Sequence, residues 1–185
     1  MSIEKFIVYP KTGAWGIAKE GSEEELLEEL KQQPLPEKKY LGAHSIILNT
    51  TDQCNMGCIY CSASDNRSKQ EMDIKIAKKT LDEAIKLETI PRIVFHGSEP
   101  LLNMPLIRAT VMHGESLPKR VLFYIQSNLT TLTTEKLKFI REHNIGVSTS
   151  IDGFRAQHNA TRPFRNGSPS YNLVTKNMGK VMQGQ

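Results

Sequence analysis

Cys54, Cys58 and Cys61 stand in one run, Thr51-Asp52-Gln53-Cys54-Asn55-Met56-Gly57-Cys58-Ile59-Tyr60-Cys61, and are the only 3 cysteines of the chain. Closely spaced thiolates are soft metal ligands. Three of them can hold three irons of a 4Fe–4S cube, whose full protein ligation would take four, so one iron is left open. Two other readings compete. Zinc takes thiolates with a histidine as fourth ligand. None of the 5 histidines (His44, His96, His113, His143, His158) follows Cys61 within a few residues, where a compact zinc module would put it. Unliganded cysteines usually lie scattered in cores instead of packed into one polar loop. The spacing favours the cluster.

The elements that must hold this loop are legible as alternating periods. Ser45 to Leu48 is an apolar strand running into the cysteines. Asp73 can cap a helix whose Ile74, Ala77, Leu81 and Ile85 follow the helical repeat. Arg92 to Phe95 is a second strand. Asn103 and Pro105 open the next helix, with Gly114 as its stop. Val121 to Ile125 is a third strand, Thr133 caps a helix carrying Leu137 and Ile140, and Asn144 suits its end. Ile145 to Ile151 reads as a fourth strand, and residues 171–182 as a further helix. Four strand–helix repeats imply a parallel sheet with right-handed crossovers. Ahead of it, Phe6 to Tyr9 and Ala14 to Ala18 read as a hairpin about Pro10-Lys11-Thr12-Gly13. Ser22 with Glu25 predicts a capping box for a helix bearing Leu26, Leu27 and Leu30. Pro34-Leu35-Pro36 predicts a linker. The organisation expected is an N-terminal hairpin–helix extension over 1–40 and a core over 41–185.

Each core strand ends at a polar, small-residue segment: the cysteine loop, His96-Gly97-Ser98-Glu99-Pro100, Gln126-Ser127-Asn128 and Ser150-Ile151-Asp152-Gly153. Parallel sheets place their sites at that carboxyl edge. The cysteine spacing is similar to that of the radical S-adenosylmethionine (radical SAM) superfamily. His96 to Leu102 resembles the family's Gly-Gly-Glu-Pro motif, with Ser98 in place of the second glycine. Gln126-Ser127-Asn128 stands where relatives have Thr-Asn-Gly, with Leu129 in place of the glycine. Ser150-Ile151-Asp152-Gly153 with His158-Asn159 and Arg162 resembles Ser-Leu-Asp-Gly…His-Asp-x-x-Arg of the peptide-modifying members, with Asn159 in place of the aspartate.

The resemblance, over about residue 44 to the end, implies a 4Fe–4S cluster on Cys54, Cys58 and Cys61 that splits S-adenosylmethionine to a 5′-deoxyadenosyl radical. It places Gly97, Ser98 and Glu99 at the methionine end of that cofactor and Ser127 and Asn128 near the nucleoside. It turns Ser150 towards the ribose, Arg162 towards a carboxylate, and sets Tyr60 beside the adenine. No catalytic residue is assigned; His96 and His158 are declined as acid–base groups. The fold implied is α/β, a partial TIM-type (β/α) barrel with four units of an expected six or so. Stopping short of closure predicts an open sheet edge, hence an N-terminal part of a longer enzyme or a truncated product prone to self-association. The implied partners are a peptide or protein substrate and a flavodoxin or ferredoxin as electron donor. A small-molecule enzyme of the molybdopterin-biosynthesis type and a non-catalytic iron–sulfur protein are the alternatives.

Composition bounds these readings. The formal net charge of +4 on 185 residues comes from interspersed charges, so no basic stripe points to nucleic acid. No apolar run approaches a membrane span, and the start MSIEKFIVYP lacks the apolar stretch of a signal peptide. An odd cysteine number without such a signal argues for the reducing cytoplasm.

Overall fold

A computed structural model of the chain describes residues 4–9, 14–33, 45–62, 70–87 and 90–183. The chain divides into two compact units, Met1–Tyr40 and Leu41–Gln185. In the first, β1 (Glu4–Tyr9) pairs antiparallel with β2 (Ala14–Lys19), and α1 (Glu23–Gln32) follows. Among its described residues, Ala18 and Leu30 are buried apolar side chains. The expected capping box is not made: Ser22 Oγ donates to Lys19 O at 2.9 Å and leaves the first turn of α1 uncapped by a side chain. The hairpin turn and the Pro34-Leu35-Pro36 linker lie outside the described residues.

In the second unit four parallel strands stand in the order β3 (Ser45–Asn49), β4 (Arg92–His96), β5 (Leu122–Gln126), β6 (Gly146–Ser148). Their connections carry α2 (Ile74–Ala84), α3 (Met104–Glu115) and α4 (Thr134–Glu142). The chain order equals the spatial order, as in a barrel wall wound one strand at a time. Local sequence fixes the helix starts. Asp73 accepts from Lys75 N at 2.8 Å, Asn103 from Leu106 N at 3.3 Å and Thr133 from Lys136 N at 3.2 Å, each supplying a partner to a first-turn N–H.

Alternation along the strands sorts the two faces. Ile93 and Phe95 of β4, with Phe123 and Ile125 of β5, are buried against Leu81, Ile107 and Val111 of the helices. The rings of Phe95 and Phe123 stack at 5.9 Å. The opposite face carries the registered row Ile47, Val94, Tyr124. It is open, with Ile47 62% and Tyr124 38% exposed. This is the α/β, partial TIM-type barrel expected from the sequence.

Three local expectations are corrected. Gly114 does not stop α3, which runs to Glu115; it is a packing residue, since a Cβ there would stand 2.5 Å from Phe123 Cζ. The fourth strand is only three residues long, Gly146–Ser148, because 149–153 turns away as a loop. A helix the periodicity does not reveal, α5 (Arg155–Thr161), precedes α6 (Tyr171–Met182). Among the described residues no helix is long and apolar enough to cross a membrane.

Candidate metal and cofactor site

The cysteine loop is clamped from two sides. Thr50 N and Thr50 Oγ1 both donate to His96 O, at 2.9 and 3.0 Å. Ser98 N donates to Thr51 O at 3.0 Å and Glu99 N to Gln53 O at 2.9 Å. From the other side, Gly57 N reaches Pro163 O at 2.8 Å, Ile59 N reaches Thr161 O at 2.9 Å, and Arg165 N reaches Asn55 O at 3.2 Å. Met56, 1% exposed, pins the middle of the loop. A loop fixed by backbone bonds on both flanks has its side chains presented by the fold.

Cys54, Cys58 and Cys61 line a cleft of about 300 Å³ at the carboxyl edge of the sheet. Tyr60, Gly97, Ser98, Ser127, Asn128, Ser150 and Arg162 line the same cleft. Ten of the sequence-predicted site residues thus meet in one place. All three cysteines are free and half-buried. Burial pushes the Cys58 thiol up, opposed by the positive charge of Arg162.

Gly97 explains the close approach at the methionine-end motif. Its φ is +107°, and a Cβ there would stand 2.7 Å from Thr51 O. Only glycine fits such a backbone. Ser98 has a negative φ, so a side chain is tolerated where the family pattern has its second glycine.

Glu99 is the eleventh predicted residue and sits behind the cleft. It is fully buried and does not line the cleft. Its carboxylate accepts from Ser127 Oγ at 2.7 Å, Asn128 N at 2.8 Å and Leu101 N at 3.1 Å. Burial pushes its pKa up, and these donors oppose the shift. Glu99 therefore builds the turn that presents Asn128. Lys136 Nζ, tied to Leu101 O and Thr131 O, adds a compensating positive charge.

The turn after β5 needs a left-handed residue, and Leu129 supplies it at φ 61°. The conformation costs about 1 kcal/mol for a non-glycine residue. Three contacts offset that cost: Leu129 is buried, Leu129 N donates to Ser127 Oγ, and Asn177 Nδ2 donates to Leu129 O.

At the far wall, Tyr60 is 57% exposed and so is not a core aromatic. Its hydroxyl donates to Asp152 Oδ2 at 2.6 Å and accepts from Arg162 Nη1 at 2.7 Å. Burial, then the hydrogen bond to Asp152, pushes the phenol pKa up. Burial raises the Asp152 carboxyl, but the hydrogen bonds from Tyr60 and Thr161 outweigh it and hold Asp152 low. Arg162 Nε is buried without a partner, a donor on a side chain that lines the cleft.

The family model for the radical SAM superfamily matches residues 48–183. The chain belongs to the radical SAM superfamily. A serine-type anaerobic sulfatase-maturating enzyme of Bacteroides thetaiotaomicron is 32% identical, over 71% of this chain and 33% of that one. An uncharacterised protein of Methanocaldococcus jannaschii is 37% identical, over 70% of this chain and 45% of that one. The structure of native anSMEcpe with bound AdoMet and Kp18Cys peptide superposes with a TM-score of 0.65 at 21% identity, over 75% of this chain and 40% of that chain. The chain thus spans less than half the length of these relatives.

The donor set of this radical SAM chain fits an iron–sulfur cube better than a single ion. His96 lines the cleft, so folding brings in a histidine that sequence spacing had set aside. Among the described residues no three His, Cys, Asp or Glu side chains stand as a ready-made set around one metal ion. A zinc site needs four ligands at about 2.0–2.3 Å from one centre; a cube takes each thiolate on a different iron.

His158 is a strut. Its Nδ1 accepts from Asp152 N at 3.3 Å, so the proton sits on Nε2, which donates to Ser170 Oγ at 3.1 Å. Ser170 Oγ in turn donates to Arg162 O at 2.5 Å. Burial holds the His158 pKa down. Asn159, at the position of the family's aspartate, accepts from Tyr171 N at 3.0 Å, a bond that needs only a side-chain oxygen. Sequence reasoning missed Thr161, Pro163 and Arg165, whose backbone carbonyls and amide hold the cysteine loop. No periodic signal marks such long-range backbone pairing.

Proposed function

We propose that Cys54, Cys58 and Cys61 hold a 4Fe–4S cluster with one iron open, and that S-adenosylmethionine lies across the cleft from Gly97 to Ser150. Bound together, the two supply a 5′-deoxyadenosyl radical that abstracts hydrogen from a substrate. The observation that carries the reading is the meeting of three free thiols with Gly97, Asn128, Ser150 and Arg162 in one cleft.

The chain's own residues have the following parts. The backbone at Gly97 and Ser98 lies against the methionine end, where no Cβ intrudes at Gly97. Asn128 and Ser150 face the ribose. Arg162, with an unpartnered buried Nε, takes a carboxylate, an anion that Arg binds as a rigid donor fork. Tyr60, oriented by Asp152 and Arg162, stands beside the adenine. Glu99 holds the Ser127–Asn128 turn from behind instead of touching the cofactor.

The substrate proposed is a peptide or protein, modified by thioether crosslinking or side-chain oxidation. The relation to a sulfatase-maturating enzyme supports it, as do two exposed apolar side chains close in sequence to Tyr60 and Asp152: Ile59, 71% exposed, and Phe154, 80% exposed. Flavodoxin or ferredoxin is proposed as electron donor. Because thiolates must stay reduced to bind iron, the cytoplasm is proposed as the compartment. The test is anaerobic reconstitution, reduction with dithionite and addition of S-adenosylmethionine, with 5′-deoxyadenosine and methionine quantified by mass spectrometry. Equal amounts of both, lost in Cys58→Ala, are expected. Intact S-adenosylmethionine with a loaded cluster would leave a non-catalytic iron–sulfur protein.

A further inference from the structure

The side-chain amide of Asn128 points at a cysteine sulfur. Asn128 Nδ2 stands 3.7 Å from Cys54 Sγ, within hydrogen-bond distance for sulfur, and 3.2 Å from Asn55 Oδ1. Which end of this amide faces the sulfur is settled by its other end. Thr130 N, a backbone donor, lies 2.9 Å from Asn128 Oδ1, so that atom must be the carbonyl oxygen. The rest closes into a ring. Asn55 Nδ2 donates to Thr130 Oγ1 at 2.7 Å, Thr130 Oγ1 donates to Asn128 Oδ1 at 2.6 Å, and Asn128 Nδ2 returns to Asn55 Oδ1. One N–H of the amide is used in the ring, and the second is left for the sulfur. From behind, the buried Glu99 carboxylate fixes Asn128 N at 2.8 Å. Asn128 is itself only 8% exposed, so water competes little for the bond.

We infer that Asn128 sets the reduction potential of the cluster by donating an N–H···S hydrogen bond to Cys54. The inference rests on the cluster reading above. Its physics is charge. The one-electron reduced cluster carries one more negative charge, shared with its thiolates. A donor aimed at a thiolate therefore stabilises the reduced form more than the oxidised one. Hydrogen bonds to the sulfurs are among the levers that set iron–sulfur potentials. Met56 N, 3.4 Å from the same sulfur, is a second donor that substitution cannot remove. Asn128 is thus the adjustable half of a two-donor arrangement on Cys54. Its effect on the cofactor would be electronic, separate from any contact with the ribose.

The test is an anaerobic redox titration of the reconstituted chain without S-adenosylmethionine. Titanium(III) citrate serves as the one-electron donor, and electron paramagnetic resonance reads the reduced cluster. Asn128→Leu keeps the bulk and removes the donor; Thr133→Ala removes the cap of the helix that follows the same turn and lies outside the cleft. Asn128→Leu should lower the reduced-to-oxidised ratio at fixed potential about tenfold, a shift of ~59 mV for a one-electron couple. Thr133→Ala should leave the potential near that of the parent. Equal potentials for parent and Asn128→Leu, or equal shifts in both variants, would overturn the inference. A second readout needs no variant to fold. In the parent chain carrying 15N only at asparagine Nδ2, pulsed electron paramagnetic resonance of the reduced cluster should detect a coupled 15N. No coupling would overturn the inference. A parent chain without iron and sulfide would overturn the cluster reading itself.

Discussion

Replacing Gly97 by alanine tests the backbone geometry that brings the loop after β3 against the loop after β4. The new Cβ would stand 2.7 Å from Thr51 O and 3.3 Å from Thr50 N, with φ at +107°. A non-glycine residue held in so sparsely populated a region costs about 1–3 kcal/mol. Forcing an atom against packed backbone adds about 1–3 kcal/mol. The sum is roughly 4 kcal/mol, a large share of the 5–15 kcal/mol typical of a whole domain. Moving Thr50 and Thr51 to relieve the overlap would also break their bonds to His96 O and Ser98 N, so the cysteine loop would lose one of its two clamps. Urea unfolding should show Gly97→Ala destabilised by that order, with iron uptake on reconstitution reduced in parallel. Ser98→Gly, at a position of negative φ, should cost about 1 kcal/mol or less. A Gly97→Ala chain within about 1 kcal/mol of the parent, and loading iron normally, would refute the reasoning.

Glu99→Gln keeps the shape but offers an N–H₂ where the carboxylate accepts from Ser127, Asn128 and Leu101. At least one buried donor loses its acceptor, and about 2 kcal/mol of stability should go with it by urea unfolding; an unchanged midpoint would contradict the role given to this carboxylate. Ser150→Phe should weaken S-adenosylmethionine binding by calorimetry at least tenfold while iron content stays at the parent level, and equal affinity would remove Ser150 from the cofactor's path. His158 has its folded pKa below the unfolded value of about 6.5. The unfolded chain therefore takes up a proton that the folded chain resists, so stability falls as the pH drops below that value. His158→Gln should lose less stability than the parent between about pH 7 and pH 5.5, and parallel pH profiles would mean that His158 takes up its proton as readily in the fold as in the unfolded chain.

The carboxyl-edge site is largely legible in the sequence because alternating periods fix which loops share an edge. The sequence groups the cysteine loop, Gly97, Asn128, Ser150 and Arg162 at one edge, and they line one cleft. Helix starts at Asp73, Asn103 and Thr133 were legible for a local reason: a short polar side chain next to a helical repeat can only bond the first turn. The burial of Glu99 was not legible, because a glutamate in a turn after a strand carries no local signal of it. Its burial depends on Ser127 and Asn128, 28 and 29 residues away. The helix at Arg155–Thr161 was missed because only His158 of its seven residues is buried, which gives no repeat to detect. Leu129 shows the converse: a left-handed position without glycine, held by packing and by Asn177, carries no sequence signal at all.

The central claim is that three cysteines of this radical SAM chain carry a cube with one open iron. Mössbauer spectroscopy of the 57Fe-reconstituted chain, with and without S-adenosylmethionine, measures it directly. The account predicts iron and acid-labile sulfide in equal amounts, and a single iron subsite whose isomer shift rises on adding the cofactor while the other three stay fixed. Stoichiometric zinc without sulfide, or four irons all unmoved by S-adenosylmethionine, would contradict it.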